Sequence, residues 1–447
     1  MAILCYRLTL NLLMLKNNSI FKQALLLLVA AASTALPAQT TLSNTPPASP
    51  IRIAMIEGMS GAFANAGEAV LRNIRFAVER VNAAGGIKLA TGPRALELIV
   101  LDNKGQPDET LLQLKTATEK GVLAIMQGNS SSVAAVLVDA VEKHNAREPN
   151  QRALFLNYSA ADPALTNEKC SFWHFRFDAH IDMRMAALVS QIAQDKSIKS
   201  LYLLNQDYAF GQQVAKSARS MVAAVRPDIV ITGDELHPLG RIKDFAPYAN
   251  KIKASGADAV LTGNWGNDLT LFVKAAKDVS LDATFYTFYG NSLGAAGTLA
   301  EAGVDRVLAV SEWHNNASAG GATSELDALY AAFRKRYPEA KDDYFNARNV
   351  LMIQMLVKAI EQAGTADAAL VAKQLENMRA DQGAGHIATM RGADHQLIQP
   401  LYVSRMGKQG QPGVVLDVEG SGYGFKTALR VPAAALTQAH RCVMQRP

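Results

Sequence analysis

Cysteine is scarce: three in 447 residues, at Cys5, Cys170 and Cys442. So few cannot make a disulfide-dense scaffold. No Cys or His spacing matches a zinc pattern either; His386, Asp394 and His395 lie close in sequence but lack the thiolate partners such sites use. Charge of one sign is also lacking. The formal charge is +5, from 45 bases and 40 acids. Setting aside Arg7, Lys16 and Lys22, which lie in the first 38 residues, leaves 42 bases against 40 acids. With no basic stripe interleaved with aromatics, nucleic acid is not implied. There is no P-loop, no internal repeat and no low-complexity stretch. The longest unbroken apolar run, Ala24–Ala32, falls well short of the ~20 residues a membrane span needs.

That run has a different reading. Lys16 and Lys22 precede it and small residues follow, which is the charged, apolar, small-residue order of an export signal. Cleavage after Ala35 or Ala38 suits the pattern, and Met14 gives a cleaner start than Met1. Residues 1–38 are therefore read as a signal and 39–50, rich in Thr, Ser and Pro, as a flexible lead-in. The mature chain is expected to be soluble and exported, without membrane insertion. Cys5 leaves with the signal. Cys170 and Cys442 form an even pair in an oxidising compartment, which suggests one disulfide; two separate buried thiols are the alternative.

From Ile51 onward, short β-rich runs alternate with longer amphipathic ones. Strands are predicted at 51–56, 96–102, 122–127, 153–157, 171–177, 200–204, 229–235, 258–262, 284–289 and 306–311. Helices are predicted between them and over 324–336, 344–363 and 367–378. Short tail strands follow at 386–391, 398–405 and 413–417. This β-α alternation implies parallel sheets covered by helices on both faces. The strands are too many for one sheet, so the predicted class is α/β with two doubly wound lobes and a cleft between them. Crossings are placed near Phe177–Ile181, Ser311–Asn316 and Met390–Ala393. The lobes would then be 51–177 with 316–390, and 178–315 with 391–430, leaving 431–447 as a tail.

Ligands of open α/β sheets sit beyond the carboxyl ends of strands. Glu57 ends the first strand, and a small-residue turn from Gly58 to Phe63 follows. A buried acid there needs a partner, either a ligand ammonium or an internal Arg. Gly128-Asn129-Ser130-Ser131-Ser132 opens a helix after a strand, with hydroxyls and free N–H groups suited to a carboxylate; plain N-capping is the simpler alternative. Asn157-Tyr158-Ser159-Ala160-Ala161-Asp162-Pro163 lies at the next strand end, with Asp162 as a cap. Tyr208, Phe210, Trp265 and Tyr289 lie at strand ends of the second half, where they supply flat apolar walls or pack beneath loops. Asp268 reads as a helix cap.

Gly290-Asn291-Ser292-Leu293-Gly294 fits the G-x-S-x-G elbow of hydrolases, with Asp305 and His395 as triad candidates. Only a short helix follows, which argues against an elbow. Gly420-Ser421-Gly422-Tyr423-Gly424 resembles a dinucleotide loop, but no βαβ unit follows it. No metal or cofactor is expected.

These same segments resemble periplasmic solute-binding proteins of type I, the leucine/isoleucine/valine-binding kind that serves ABC importers. The resemblance covers about residues 51–405. It rests on Met59-Ser60-Gly61 with Gly67-Glu68, Asn82-Ala83-Ala84-Gly85-Gly86-Ile87, Ser130-Ser131-Ser132, Ser159 to Leu165, Tyr208-Ala209-Phe210-Gly211 and Asp394-His395-Gln396. It implies two lobes joined by three crossover strands that close on a small solute, with no catalysis and a membrane permease as partner. Ser130 matches the carboxylate-binding hydroxyl, Ser159 the carbonyl facing a ligand ammonium, and Phe210 and Trp265 aromatic positions of the far lobe. Three positions depart from the pattern. Ala161 stands where a hydroxyl is usual, Tyr289 where leucine-type binders keep an acid, and Ala66 where an aromatic is usual. The expected ligand-binding set is Glu57, Phe63, Asn129, Ser130, Ser131, Ser159, Ala161, Tyr208, Phe210, Trp265 and Tyr289. The expected ligand is a branched-chain or hydrophobic amino acid, or a related carboxylate or amide. A sensory receptor of the same fold is the alternative function, and an exported Ser hydrolase a remote one.

Overall fold

The computed structural model describes residues 49–61, 64–319 and 321–447. The predicted signal, most of the lead-in and Phe63 lie outside the described residues.

Five parallel strands open the chain: β1 (Ile51–Glu57), β2 (Leu96–Asp102), β3 (Ala124–Gln127), β4 (Leu154–Asn157) and β5 (His174–Arg176). Five more follow: β6 (Ser200–Gln206), β7 (Val230–His237), β8 (Ala259–Thr262), β9 (Thr284–Thr287) and β10 (Val307–Ser311). The rest are β11 (Arg379–Asp381), β12 (Ile387–Arg391), β13 (Gln396–Ile398), β14 (Leu401–Lys408) and β15 (Tyr423–Val431). They form two sheets, ordered β11-β12-β13-β5-β4-β3-β1-β2 and β15-β14-β10-β9-β8-β6-β7. Each is parallel in its body and antiparallel at one edge. Each sheet, with the helices packed on it, forms one lobe.

Side-chain alternation explains why helices cover both faces. Along β6, Leu201 and Leu203 enter one apolar cluster, while Tyr202 and Leu204 enter another on the opposite face. Two close approaches require glycine. A Cβ on Gly67 would lie 2.3 Å from the Gly58 carbonyl oxygen, and one on Gly211 would lie 1.9 Å from that of Gln206. Each glycine lets a helix, Ala64–Ala83 or Ala209–Val225, start hard against the strand that precedes it.

The chain leaves the first sheet after β5 and returns to it after β10. The third crossing differs from the expected Met390–Ala393. β13 still pairs with β12 and β5, so the first lobe extends to Ile398 and the passage falls at residues 399–400. Pro400 explains the break in the strand predicted over 398–405, because it has no N–H to continue a ladder. The strand predicted at 413–417 is a loop. The N–H groups of Val415 and Leu416 donate to the Asn316 side chain rather than to a neighbouring strand. The strand that does form there, β15, starts within the Gly-rich 420–424 segment and pairs with β14.

Cys170 and Cys442 form a disulfide across 272 residues. Among the described residues no helix is long and apolar enough to cross a membrane.

Candidate functional site

In the first sheet, β1 lies between β2 and β3, so successive connections leave it in opposite directions. In the second sheet, β6 lies likewise between β7 and β8. Such reversal points open a crevice at the strands' carboxyl ends. The β1/β3 crevice receives Glu57 and Gly128–Ser131; the β6/β8 crevice receives Gln206–Phe210 and Gly263–Trp265.

One buried side chain fastens each crevice. Glu57, 2 % exposed, accepts from the N–H groups of Gly58 (3.0 Å), Gly128 (3.2 Å) and Asn129 (3.0 Å), and from the Tyr158 hydroxyl. Four donors match the acceptor capacity of a carboxylate. Glu57 thus meets no Arg among the described residues, contrary to one of the two expectations; its four partners all lie in the same lobe. Burial, then the Glu57 charge, push the Tyr158 hydroxyl well above its ordinary pKa, so it stays a donor. In the second lobe Asn205 plays the equivalent part: its Oδ1 accepts from the Gly263 N–H at 2.7 Å, joining the ends of β6 and β8.

On the loop that Glu57 holds, Ser130 caps the helix Ser131–Arg147 by accepting from the Val133 N–H at 3.4 Å. The Ser131 hydroxyl accepts from the Asp162 N–H at 3.3 Å, drawing in the segment after β4. Asn157 Oδ1 accepts from the N–H groups of Ser159 (3.1 Å) and Ala160 (2.8 Å). Beneath them, Arg176 donates to the carbonyls of Ala160 (3.3 Å) and Asp162 (2.5 Å). Burial pulls its pKa down to about 10, so at neutral pH it remains charged. Asp162 caps the following turn, Pro163–Thr166, as expected. The Asn129 side-chain nitrogen is buried without a protein partner. It is a spare donor beside two hydroxyls.

The second lobe contributes rings. The Trp265 indole N–H donates to the Tyr208 hydroxyl at 2.9 Å. Phe210 lies 5.8 Å from Tyr208, 5.9 Å from Phe288 and 6.0 Å from Tyr289, centroid to centroid. Burial raises the pKa of both Tyr208 and Tyr289, so both hydroxyls are neutral. Asp268 is not the cap expected of it. Trp265 holds the N-cap position, and Asp268 Oδ2 accepts from Gln206 and the Gly240 N–H, both at 2.8 Å.

Polar first-lobe groups and second-lobe rings come from opposite lobes, and the helices Ser131–Arg147 and Ala209–Val225 touch across the divide. Ala161, also a predicted contact, is 2 % exposed and packs into the second lobe's apolar cluster beside the first crossing.

The chain matches the periplasmic binding protein family model over residues 50–411. It is 31 % identical over 388 residues to Leu/Ile/Val-binding protein homolog 4 of Brucella abortus, covering 85 % of this chain and 88 % of the relative. The chain belongs to the periplasmic binding protein family. Its fold superposes with a TM-score of 0.79 on the Leu-, Ile-, Val-, Thr- and Ala-binding protein of Brucella ovis in its closed conformation. That pair shares 26 % identity over 89 % of this chain and all of the other. A Rhodopseudomonas palustris solute-binding protein in complex with benzoate, 16 % identical, shares the fold with a TM-score of 0.70 over 88 % of this chain and 99 % of its own.

Like other periplasmic binding proteins, the chain is a solute-binding protein of the kind that serves ABC transporters, and not an enzyme. The hydrolase constellation is not assembled. Asp305 pairs with Lys426 in the second lobe, whereas His395 lies in the first, stacked 3.9 Å from Phe175 and bonded to Glu376 at 2.9 Å. His386 bonds Gln399, and Asp394 pairs with Arg391.

Sequence reasoning missed a charge network between the crossings. Arg184 grips Asp178 with bonds of 2.7 and 2.9 Å. Arg348 grips Glu312 at 2.9 and 3.1 Å, stands 3.6 Å from Asp178 and donates to the Tyr158 carbonyl at 2.8 Å. The Arg184 guanidinium also lies 5.5 Å from the centre of the Tyr289 ring. A polar path thus runs from Glu57 through Tyr158, Arg348, the two acids and Arg184 to Tyr289. It borders a cavity of about 80 Å³ that Tyr289, Ser292, Tyr344 and Asn346 also line. One signal was available: Arg348 interrupts the apolar face of a helix whose neighbours Ala347, Val350 and Leu351 are all buried.

Proposed function

We propose that this protein captures a small carboxylate with an apolar or aromatic body in the periplasm and delivers it to the membrane permease of an ABC importer, acting as a monomer. The observation that carries the reading is the pairing of the two strand-reversal crevices. One presents Ser130, Ser131 and the unpartnered Asn129 amide at a helix start; the other presents Tyr208, Phe210, Trp265 and Tyr289. Hydroxyls and oriented N–H groups at a helix start suit a carboxylate. Flat rings suit an apolar body. Ser159 and Ala161 border the same group. Glu57 serves as the fastener beneath the loop rather than as a contact for the ligand. The relatives fit this chemistry: one is named for leucine, isoleucine, valine, threonine and alanine, and another holds benzoate. Closure would follow the usual logic of a two-state hinge biased by a ligand.

A thermal-shift panel tests the proposal. L-Leucine, L-valine, benzoate, 4-hydroxybenzoate, benzamide and putrescine are each added at millimolar concentration. A ligand at a hundred times its Kd stabilises the native state by about 2.7 kcal/mol, a readily visible rise in Tm. At least one carboxylate should raise Tm, and putrescine should not. A rise with putrescine and with no carboxylate would overturn the reading.

A further inference from the structure

We infer that the C-terminal tail is a fourth, covalently fastened connection between the lobes, and that its length limits how far they move apart. β15 belongs to the second sheet. After it the short helix Ala433–Leu436 seats Leu436, fully buried, in the second lobe's apolar cluster. From Thr437 the chain passes to the first lobe. There the Gln438 carbonyl accepts from Arg391 of β12 at 2.9 Å, and the Arg441 N–H donates to Asn167. Cys442 is bonded to Cys170, Met444 packs against the first lobe's core, and Arg446 donates to Glu376 (2.6 Å) and the Gly392 carbonyl (2.8 Å).

The tail is therefore anchored in one lobe by packing and in the other by a bond that thermal motion does not open. Six residue steps separate Leu436 from Cys442, a reach of at most about 21 Å at ~3.5 Å per step. The three other crossings are main-chain segments with no such fastening. A tether of fixed reach removes the widest and most twisted open arrangements from the unliganded ensemble. That leaves a larger share of molecules near the closed geometry and raises apparent affinity in proportion to the competent fraction.

The test uses two variants of the full mature chain, each spin-labelled at Asp139→Cys and Lys216→Cys, exposed positions on helices of opposite lobes. In one, Cys170→Ala and Cys442→Ala remove the bond. In the other the bond stays, and six Gly-Ser residues inserted between Thr437 and Gln438 lengthen the tether. Both should broaden the unliganded interlobe distance distribution towards longer values. Where L-leucine or benzoate closes the wild type, both should weaken that ligand by about threefold if the competent fraction falls to about a third. A lengthened tether with the wild-type distribution overturns the proposal, even if the cysteine variant melts earlier, because the bond then acts only on stability. The inference rests on hinged lobes but is judged in the unliganded protein. Failure of every probe to shorten the wild-type distance would instead count against the capture reading.

Discussion

Replacing Arg348 by Met should expose how the hinge charges are balanced. Arg348 and Glu312 have side chains only 10 % and 5 % exposed; Nη1 of Arg348 is shared between both Glu312 oxygens, and the pair is supported by Asp178 and Arg184. Burial pushes the Glu312 carboxyl up, and Arg348 and then Arg184 outweigh it, leaving the group below its ordinary pKa. Burial pulls the Arg348 guanidinium down, and Asp178 and Glu312 outweigh it. Arg348→Met keeps an unbranched apolar stem but removes the guanidinium, leaving Glu312 a buried acid without its hydrogen-bonded partner. Breaking such a pair costs about 3–5 kcal/mol. It also removes the donor to the Tyr158 carbonyl, for about 1 kcal/mol more. Urea unfolding at pH 7 should show a loss of roughly 4–6 kcal/mol, and adding Glu312→Gln should recover half or more of it. The sign with pH follows. A depressed folded-state carboxyl pKa gives stability that is present above the unfolded value and lost as pH falls through the folded one. The wild type should therefore lose the Glu312 contribution below the ordinary carboxylate range. In Arg348→Met that acid-side loss should vanish or reverse. A single variant within about 1 kcal/mol of wild type, or a double variant worse than the single, would refute this account of the network.

Trp265→Ala should weaken the ligand found by the thermal-shift panel at least ~10-fold in calorimetry, as loss of an aromatic anchor does; wild-type affinity would remove Trp265 from the site. Ser130→Ala should cost about 1 kcal/mol of stability as a lost cap. It should also weaken carboxylates more than the matching amides, and equal losses on both would leave Ser130 as a cap alone.

Most of the fold was legible because short apolar β-rich runs and longer amphipathic stretches alternate through residue 311, the pattern of parallel strands covered on both faces. The tail was less legible, for local reasons. The 413–417 run looks like a strand, but the Asn316 side chain, about 100 residues earlier, takes its N–H groups. The run 398–405 reads as one strand, yet it is two strands in different sheets divided at Pro400. For the candidate site, strand-end position was enough to place Glu57, Ser130, Tyr208, Phe210 and Trp265 at the two crevices, because topology puts strand ends there; their part in binding is the proposal made above. Partners were a different matter. Glu57 reads as an acid in need of a cation, and three backbone N–H groups and a tyrosine hydroxyl stabilise it instead. No pattern in a single sequence announces backbone donors converging from two loops. The network of Asp178, Arg184, Glu312 and Arg348 joins residues up to 170 positions apart, and only the fold brings them together.

The fastening of each crevice by a side chain beneath it, Glu57 in one lobe and Asn205 in the other, separates the shape of the loop from its upper surface. Position 129 and the rings at 208 and 265 can then be randomised while Glu57, Asn205 and the bonds made by Ser130 and Ser131 stay fixed. A library restricted to those positions should yield folded receptors at high frequency, which suits this chain as a starting scaffold for biosensors of unrelated small acids.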